Sequence, residues 1–268
     1  MKLTKQVLTA GLIGTFAFGA TQALASPYFS YDPSGLGGAG ATTFTANSAG
    51  GASSEHLQVT GLGTFAGAGW VQITSLNDNS AAIGGSGYGV TGLYALFTVG
   101  VTYIPIALPG FGGFGEANSF YTVNSFSFSL FHDTGNDNTF TQANAGTGQL
   151  ALVGNTAGDI LLGSGSLIAP GNASVANNNG TSLNVSTDFS LTGAGAGYFY
   201  SPVPFYDLAL AAFSSTGGAW LFNPETGMAS VGNASGVVDF SRVPEPGTLA
   251  LLGAALLGLG FTSRRSKQ

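Results

Sequence analysis

The sequence predicts an all-β domain between residues 26 and 242, an antiparallel β-sandwich of jelly-roll-like or similar type. Several windows alternate apolar and polar residues with a period of two, which is the pattern of strands buried on one face. Clusters of Gly, Asn, Ser and Asp separate these windows, and such residues favour turns. Many short strands with frequent turns are typical of a sandwich.

Residues 1–25 have the pattern of a signal peptide, in which a positive start precedes an apolar run at 7–20. Small residues at Ala23 and Ala25 then form the pattern that signal peptidase accepts. We expect cleavage after Ala25, which makes Ser26 the first residue of the exported chain. A membrane-anchoring helix is the alternative, but the apolar run is short and ends in the cleavage pattern.

Residues 26–242 are called the body here. Their strand pattern is clearest at 123–130, where Phe126, Phe128 and Leu130 alternate with serines. Two further windows and five weaker ones lie at 97–103, 183–191, 55–60, 69–76, 149–153, 205–212 and 236–241. The alternative is a partly disordered chain, because 44 residues are Gly. The 20 Phe, 9 Tyr and 2 Trp argue against it, since disordered segments are poor in aromatic residues.

Residues 243–268 form a terminal segment with three parts: the motif Pro244, Glu245 and Pro246, an apolar stretch at 248–261, and a basic end at Arg264 and Arg265. As a helix the stretch would span about 21 Å at ~1.5 Å per residue, short of the ~30 Å hydrocarbon core. We therefore expect a short transmembrane helix that holds the chain transiently. The positive-inside rule places the basic end in the cytoplasm as a membrane stop. A buried core helix is the alternative, but it would not need a basic end.

The motif Pro244, Glu245 and Pro246, with the apolar stretch and the basic end behind it, resembles the PEP-CTERM sorting signal of Gram-negative bacteria. The resemblance implies export by the general secretion machinery and transient insertion in the inner membrane. It also implies recognition by an exosortase, a membrane protease or transpeptidase that cuts near the motif. The protein would then reach the cell surface or the extracellular matrix. Members of this family often accompany exopolysaccharide production.

Charge is distributed unevenly along the chain. All six basic residues lie in or beside the terminal segments, so residues 26–241 contain no Lys or Arg but eleven of the twelve acidic residues. This distribution excludes nucleic-acid binding through a basic patch. The sequence also has no Cys, so an exported chain of this kind depends on its hydrophobic core without disulfides.

The loop at 132–139 concentrates oxygen-bearing side chains, and calcium bound at Asp133 and Asp137 is one interpretation of it. The loop lacks the EF-hand pattern and has no following Glu at the required distance. A plain hairpin turn, in which Asp and Asn bond to their own backbone, is the simpler interpretation. We expect no other cofactor.

Residues for catalysis are few. The chain has two histidines, His56 and His132, no Cys and no Gly-x-Ser-x-Gly motif. The sequence therefore indicates neither Cys–His nor esterase-type catalysis. We expect His56 to pair with the adjacent Glu55 at a strand edge. The glycine pattern at 87–92 precedes a strand rather than the helix that a dinucleotide site needs. We therefore expect a protein that is not an enzyme.

The body resembles the flocculation-associated PEP-CTERM proteins of the PepA type, in which a Gly-rich exported β domain precedes the sorting tail. The stretches that carry this resemblance are 32–38, 42–46, 91–97, 161–167 and 200–206. It implies a role in aggregating cells, in flocs or biofilm, within exopolysaccharide. A carbohydrate- or calcium-binding adhesin module is the first alternative. A secreted glycan-processing enzyme is the second, because the spacing of carboxylates in space cannot be read from sequence.

Overall fold

The computed structural model describes residues 27–32, 44–78, 81–82 and 92–241, which are mostly β-strand. The described elements are β1 (Phe29–Tyr31), β2 (Phe44–Ala46), β3 (Ser48–Gly61), β4 (Thr64–Asp78), β5 (Ala81–Ala82), β6 (Leu93–Ile104), β7 (Ser119–His132), β8 (Thr139–Thr141), β9 (Leu152–Gly154), β10 (Ile160–Val175), β11 (Thr181–Asp188), β12 (Ser190–Leu191), α1 (Gly193–Tyr198), β13 (Phe199–Ser201), β14 (Leu208–Ser214), β15 (Trp220–Asn223) and β16 (Met228–Ser241).

Eight of these strands form a closed antiparallel barrel. Their order around the barrel is β11, β14, β16, β3, β4, β6, β7 and β10, and the pairing of β10 with β11 closes the ring. Strands β5, β12 and β15 extend it locally by pairing with β4, β10 and β16. Two small sheets lie outside the ring: β13, β1 and β2 form one, and β8 and β9 form the other.

The expected antiparallel all-β architecture is confirmed, but the strands close into a barrel in place of the expected sandwich. The reason lies in β10, which pairs with β7 on one side and with both β11 and β12 on the other. Register shifts between Leu161 and Gly163 and between Ser166 and Gly171 interrupt its ladder with β7. Such irregularities bend a strand and increase its twist, which lets a sheet curl until its two edges meet.

The predicted strand windows fall on observed strands. Windows 97–103 and 123–130 lie within β6 and β7, and window 183–191 spans β11 and β12. The weaker window 149–153 overlaps only the start of β9, which runs from Leu152 to Gly154. The alternation is visible because each barrel strand has one face in the apolar interior.

Aromatic side chains fill both ends of the barrel interior. At the end where β4 begins, the ring of Phe65 stacks on Phe114 with centroids 4.4 Å apart, and Trp220 Nε1 donates to the Gly115 carbonyl at 2.9 Å. At the opposite end, the rings of Phe29 and Phe240 meet edge to face at 5.4 Å. The chain has no disulfide, and residues 26–241 contain no Lys or Arg, so this apolar packing is its main source of stability.

Both terminal predictions lie outside the described residues, namely the signal peptide at 1–25 and the transmembrane helix at 248–261. Within the part of the chain that the structure describes, no helix has the length and apolar character needed to cross a bilayer.

Gly67 in β4 lies where the backbones of β3 and β4 approach closely. A Cβ atom at this position would overlap the carbonyl oxygen of His56 and lie 2.8 Å from Leu57 Cα. We expect Gly67→Ala to lower the free energy of unfolding by ~2–3 kcal/mol, because backbone atoms cannot move aside as a flexible side chain would. Urea denaturation measures this loss.

The matched control is Gly193→Ala, since a Cβ at Gly193 would meet no atom within 4 Å. Its stability should equal or slightly exceed that of the wild type, because Ala favours helix over Gly. Equal stability of both variants and the wild type would show that β3 and β4 are not packed as described.

Candidate functional site

Residues 133–159, here called the strap, cross the outer wall of the barrel and include the β8–β9 hairpin. Trp70 and Tyr94 point outward from β4 and β6, yet they are only 3% and 1% exposed. Trp70 Nε1 donates to the Thr141 carbonyl at 2.8 Å, and its ring lies 5.0 Å from that of Phe140. The strap therefore buries two aromatic side chains that would otherwise face solvent.

Small polar side chains of the barrel wall hold the backbone of the strap. Ser54 Oγ accepts from Ala143 N at 2.9 Å and donates to the Val231 carbonyl at 2.9 Å. Similarly, Ser230 Oγ accepts from Ala145 N at 2.9 Å. Each hydroxyl accepts from a backbone N–H that would otherwise be unpaired in the buried contact. The hydroxyls of the wall are thus placed to bond the backbone of the strap.

Glu55 and His56 do not form the strand-edge pair that the sequence suggested. Their strand, β3, has β16 on one side and β4 on the other, and successive residues of a strand point to opposite faces. His56 therefore meets the strap, where its Nδ1 accepts from Ala151 N at 3.3 Å. Burial lowers the pKa of His56, which favours the neutral ring that can accept this bond.

The base of the strap is a polar cluster around the carboxylates of Asp133 and Asp159. Asp159 Oδ2 accepts from the Tyr94 hydroxyl at 2.6 Å and from Asn138 Nδ2 at 3.0 Å. Asp133 Oδ2 accepts from the backbone N–H of Asn138 at 2.9 Å. The cluster thus joins the two ends of the strap to each other and to the barrel wall.

The two residues of the predicted calcium site belong to the same turn but differ in environment. Asp133 is 3% exposed, whereas Asp137 is exposed and its backbone carbonyl accepts from Asn155 Nδ2 at 3.0 Å. Two other members of the cluster were not singled out from the sequence: Asn138, whose Oδ1 atom is buried, and Asp159. No group of three or more His, Cys, Asp or Glu side chains is arranged as a metal site among the described residues.

Burial is the largest cause of the pKa shifts of Tyr94 and His132, which lie beside this cluster. The pKa of Tyr94 is raised, first by burial and then by its hydrogen bond to Asp159. The pKa of His132 is lowered by burial, although the charges of Asp133 and Asp159 act in the opposite direction. Both side chains are therefore favoured in their neutral forms.

Inside the barrel, Glu55 is an acidic residue in apolar surroundings. Its neighbours around the interior space include Leu57, Val99, Trp220 and Val231. The carboxyl group is surrounded by protein, although the residue keeps some exposed surface, and burial raises its pKa to about 7. The sequence did not reveal that Glu55 faces the interior, because its orientation depends on the register of β3.

We expect Ser54→Ala to weaken the attachment of the strap. The change leaves Ala143 N–H and the Val231 carbonyl without their partner, which should lower the free energy of unfolding by ~1–3 kcal/mol. Chymotrypsin cleavage after Phe140 should become faster. Ser127→Ala is the control, because Ser127 is exposed and its hydroxyl pairs with Thr98 on the outer wall. Equal cleavage rates in the two variants would contradict the attachment.

We expect Glu55→Gln to stabilise the protein at high pH and not at low pH. A carboxyl whose pKa is higher in the folded state favours folding below its unfolded value of 4.5, and this contribution is lost as pH rises towards about 7. Relative to the wild type, the variant should gain on the order of 1–3 kcal/mol at pH 8 and nothing at pH 4. Denaturant titrations at both pH values measure the difference. Glu225→Gln makes the same change at an exposed turn and is the control; an equal gain in both variants would contradict the buried position of Glu55.

The residues of the predicted sorting apparatus lie outside the described residues; they are Ala23, Ala25, Ser26, Pro244, Glu245, Pro246, Arg264 and Arg265. The last barrel strand, β16, ends at Ser241, directly before this terminal segment.

Comparison with known proteins agrees with the sorting signal predicted for the C-terminal segment. The family described as the PEP-CTERM protein-sorting motif matches residues 242–265. No curated protein and no solved structure matches the chain. The resemblance of the body to PepA-type proteins is therefore not confirmed by any homologue. The chain carries a PEP-CTERM sorting motif and is an exported protein that an exosortase processes at the membrane.

Proposed function

We propose that this protein acts without catalysis at the surface or in the matrix of a Gram-negative cell, where it promotes aggregation into flocs or biofilm together with exopolysaccharide. The observation that carries the proposal is the chemistry of the outer barrel wall. Its exposed ladders consist of hydroxyl and amide groups, which both donate and accept hydrogen bonds and so complement sugar hydroxyls.

These ladders run along adjacent strands. Thr98 Oγ1 and Ser127 Oγ lie 2.8 Å apart between β6 and β7, and Asn124 Nδ2 donates to Thr102 Oγ1 at 2.6 Å on the same pair of strands. Their cross-strand bonds hold the polar groups in a regular array. A polymer with repeating hydroxyls can contact such an array at many points, each of them weak, and gain affinity from their number.

The negative charge of the body limits how it can contact a polysaccharide. Residues 26–241 carry carboxylates but no ammonium or guanidinium group. Such a surface cannot neutralise an anionic polysaccharide directly, so contact would depend on hydrogen bonds or on divalent cations shared between carboxylates.

A carbohydrate-binding adhesin module is the second candidate. A groove on the outer face of other barrel strands favours it. The groove crosses β10, β11, β14 and β16 and is lined by the amides of Asn172 and Asn184, by Ser186 and by the apolar Leu210 and Val237. Asn184 Nδ2 donates to Asn172 Oδ1 at 3.1 Å. Polar groups beside an apolar strip form the mixed surface that a sugar ring requires.

A deletion strain complemented with variants tests the aggregation role. The wild-type chain should restore floc settling, whereas Glu245→Ala should leave uncut protein in the inner membrane and restore little. Settling rates and the location of a tagged chain are the measurements. Settling that is unchanged by the deletion itself would refute the proposal.

Two further variants separate the distributed wall from the groove. If many weak contacts act together, Asn184→Ala and Asn124→Ala should each leave settling close to that of the wild type. Loss of settling with Asn184→Ala alone would favour the adhesin. Hydrolysis of matrix polysaccharide by the purified chain, abolished by one carboxylate substitution, would establish an enzyme instead.

A further inference from the structure

Two buried oxygen atoms at the base of the strap have no hydrogen-bond donor. They are Asp133 Oδ1 and Asn138 Oδ1. Among the described residues, the Tyr31 hydroxyl is the third buried side-chain atom in this condition. Buried polar atoms almost always have a partner, so each of these two acceptors, which lie in one turn, needs a donor or a cation that the surrounding side chains do not supply.

Rotating the side-chain amide of Asn138 by 180° would not give its oxygen a hydrogen-bond donor. Its Nδ2 donates at 3.0 Å to Asp159 Oδ2, which also accepts from the Tyr94 hydroxyl. A rotated amide would place its oxygen against the Asp159 carboxylate. Asp159 thus positions Asn138 with Oδ1 turned away from it.

Asn138 is also held directly against Asp133. Its backbone N–H donates to Asp133 Oδ2 at 2.9 Å, which leaves Oδ1 of each side chain without a donor. Both unpaired atoms are acceptors, so they cannot satisfy each other when Asp133 is ionised. A positive charge is the partner that both would accept, and residues 26–241 contain no Lys or Arg to supply it.

Gly135 brings the carboxylates of the turn close to one point. A methyl group built on Gly135 would lie 3.5 Å from Asp133 Oδ1 and 3.3 Å from Asp137 Oδ1. Both oxygens therefore lie near the position where a side chain at Gly135 would begin. Asp137 itself is exposed to solvent.

We propose that Asp133 and Asn138 bind a calcium ion at the base of the strap, with Asp159 as a positioning residue. Carboxylate and amide oxygens are calcium ligands, and Asp137, backbone carbonyls or water would complete the six to eight that the ion takes. Magnesium fits less well, because it demands a regular octahedron that an irregular turn does not provide. A dissociation constant of about 10⁻⁴–10⁻³ M is typical of extracellular calcium modules.

The ion would stabilise the first turn of the strap, which the hydrogen bonds of Asp159 already join to the last residue of the strap and to Tyr94 of β6. This property is independent of the aggregation role, because it is measured as the stability of the purified chain rather than as the settling of cells. Failure of one therefore leaves the other standing.

Thermal unfolding of the full-length chain, purified in mild detergent, tests the site. Addition of 10 mM calcium chloride after EDTA treatment should raise Tm by about 3–10 °C, since a ligand that binds only the folded state stabilises it. Magnesium chloride, and sodium chloride at equal ionic strength, should produce a much smaller shift. Equal shifts with all three salts would indicate general charge screening and overturn the proposal.

The decisive variant is Asp133→Asn. An amide at this position keeps the shape of the side chain and removes its buried charge. We expect a variant that no longer responds to calcium and is at least as stable as the wild type in EDTA. Glu225→Gln removes an exposed carboxylate elsewhere and should keep the full response.

Calorimetric titration with calcium provides a second readout that does not depend on unfolding. The wild type and Glu225→Gln should bind one ion at this site, and Asp133→Asn should lose that binding. Retention of the same calcium binding by Asp133→Asn would overturn the proposal, as would the absence of any response in the wild type.

Discussion

The pairing of β10 with β11 is the contact on which the rest of the structure depends. Without it, both strands would expose unpaired backbone groups and the aromatic interior would open to water. Closure also sets which side chains face outward, since every residue on a barrel strand must point either in or out. Ser54, His56 and Trp70 meet the strap for this reason, and Glu55 enters the interior. The outer layer is thus a consequence of how the ring closes.

Much of the fold was predictable because local alternation reports burial on one face. The same alternation occurs in sandwiches and barrels, so the arrangement of strands was not predictable; it depends on irregularities in β10 and on long-range pairing. Asp133 was predicted from the local density of oxygen-bearing residues. The other members of the cluster, Asp159 and Tyr94, were not predicted, because these two lie 65 residues apart in sequence and only the fold brings them together. Glu55 was expected beside His56 at a strand edge, and its inward orientation was not predictable because strand register alone decides it.

Export and architecture are compatible in several respects. The last barrel strand ends at Ser241, so the sorting motif at 242–265 follows the folded domain directly and can be processed without cutting into it. The barrel needs no disulfide, so its folding does not depend on an oxidising catalyst outside the cytoplasm. A stabilising ion with weak affinity would suit an environment in which calcium is more plentiful than in the cytosol.

The barrel and its strap lack cationic side chains, and this has a consequence for survival outside the cell. Trypsin-like proteases cut after Lys or Arg, and none occurs between Lys5 and Arg242. Beyond Lys5, an enzyme of this class would meet its next target at Arg242, which follows β16 directly and begins the matched sorting motif. Digestion there would shed the tail and leave the folded domain in one piece. The composition that removes salt bridges therefore also makes the domain inert to a widespread class of extracellular proteases.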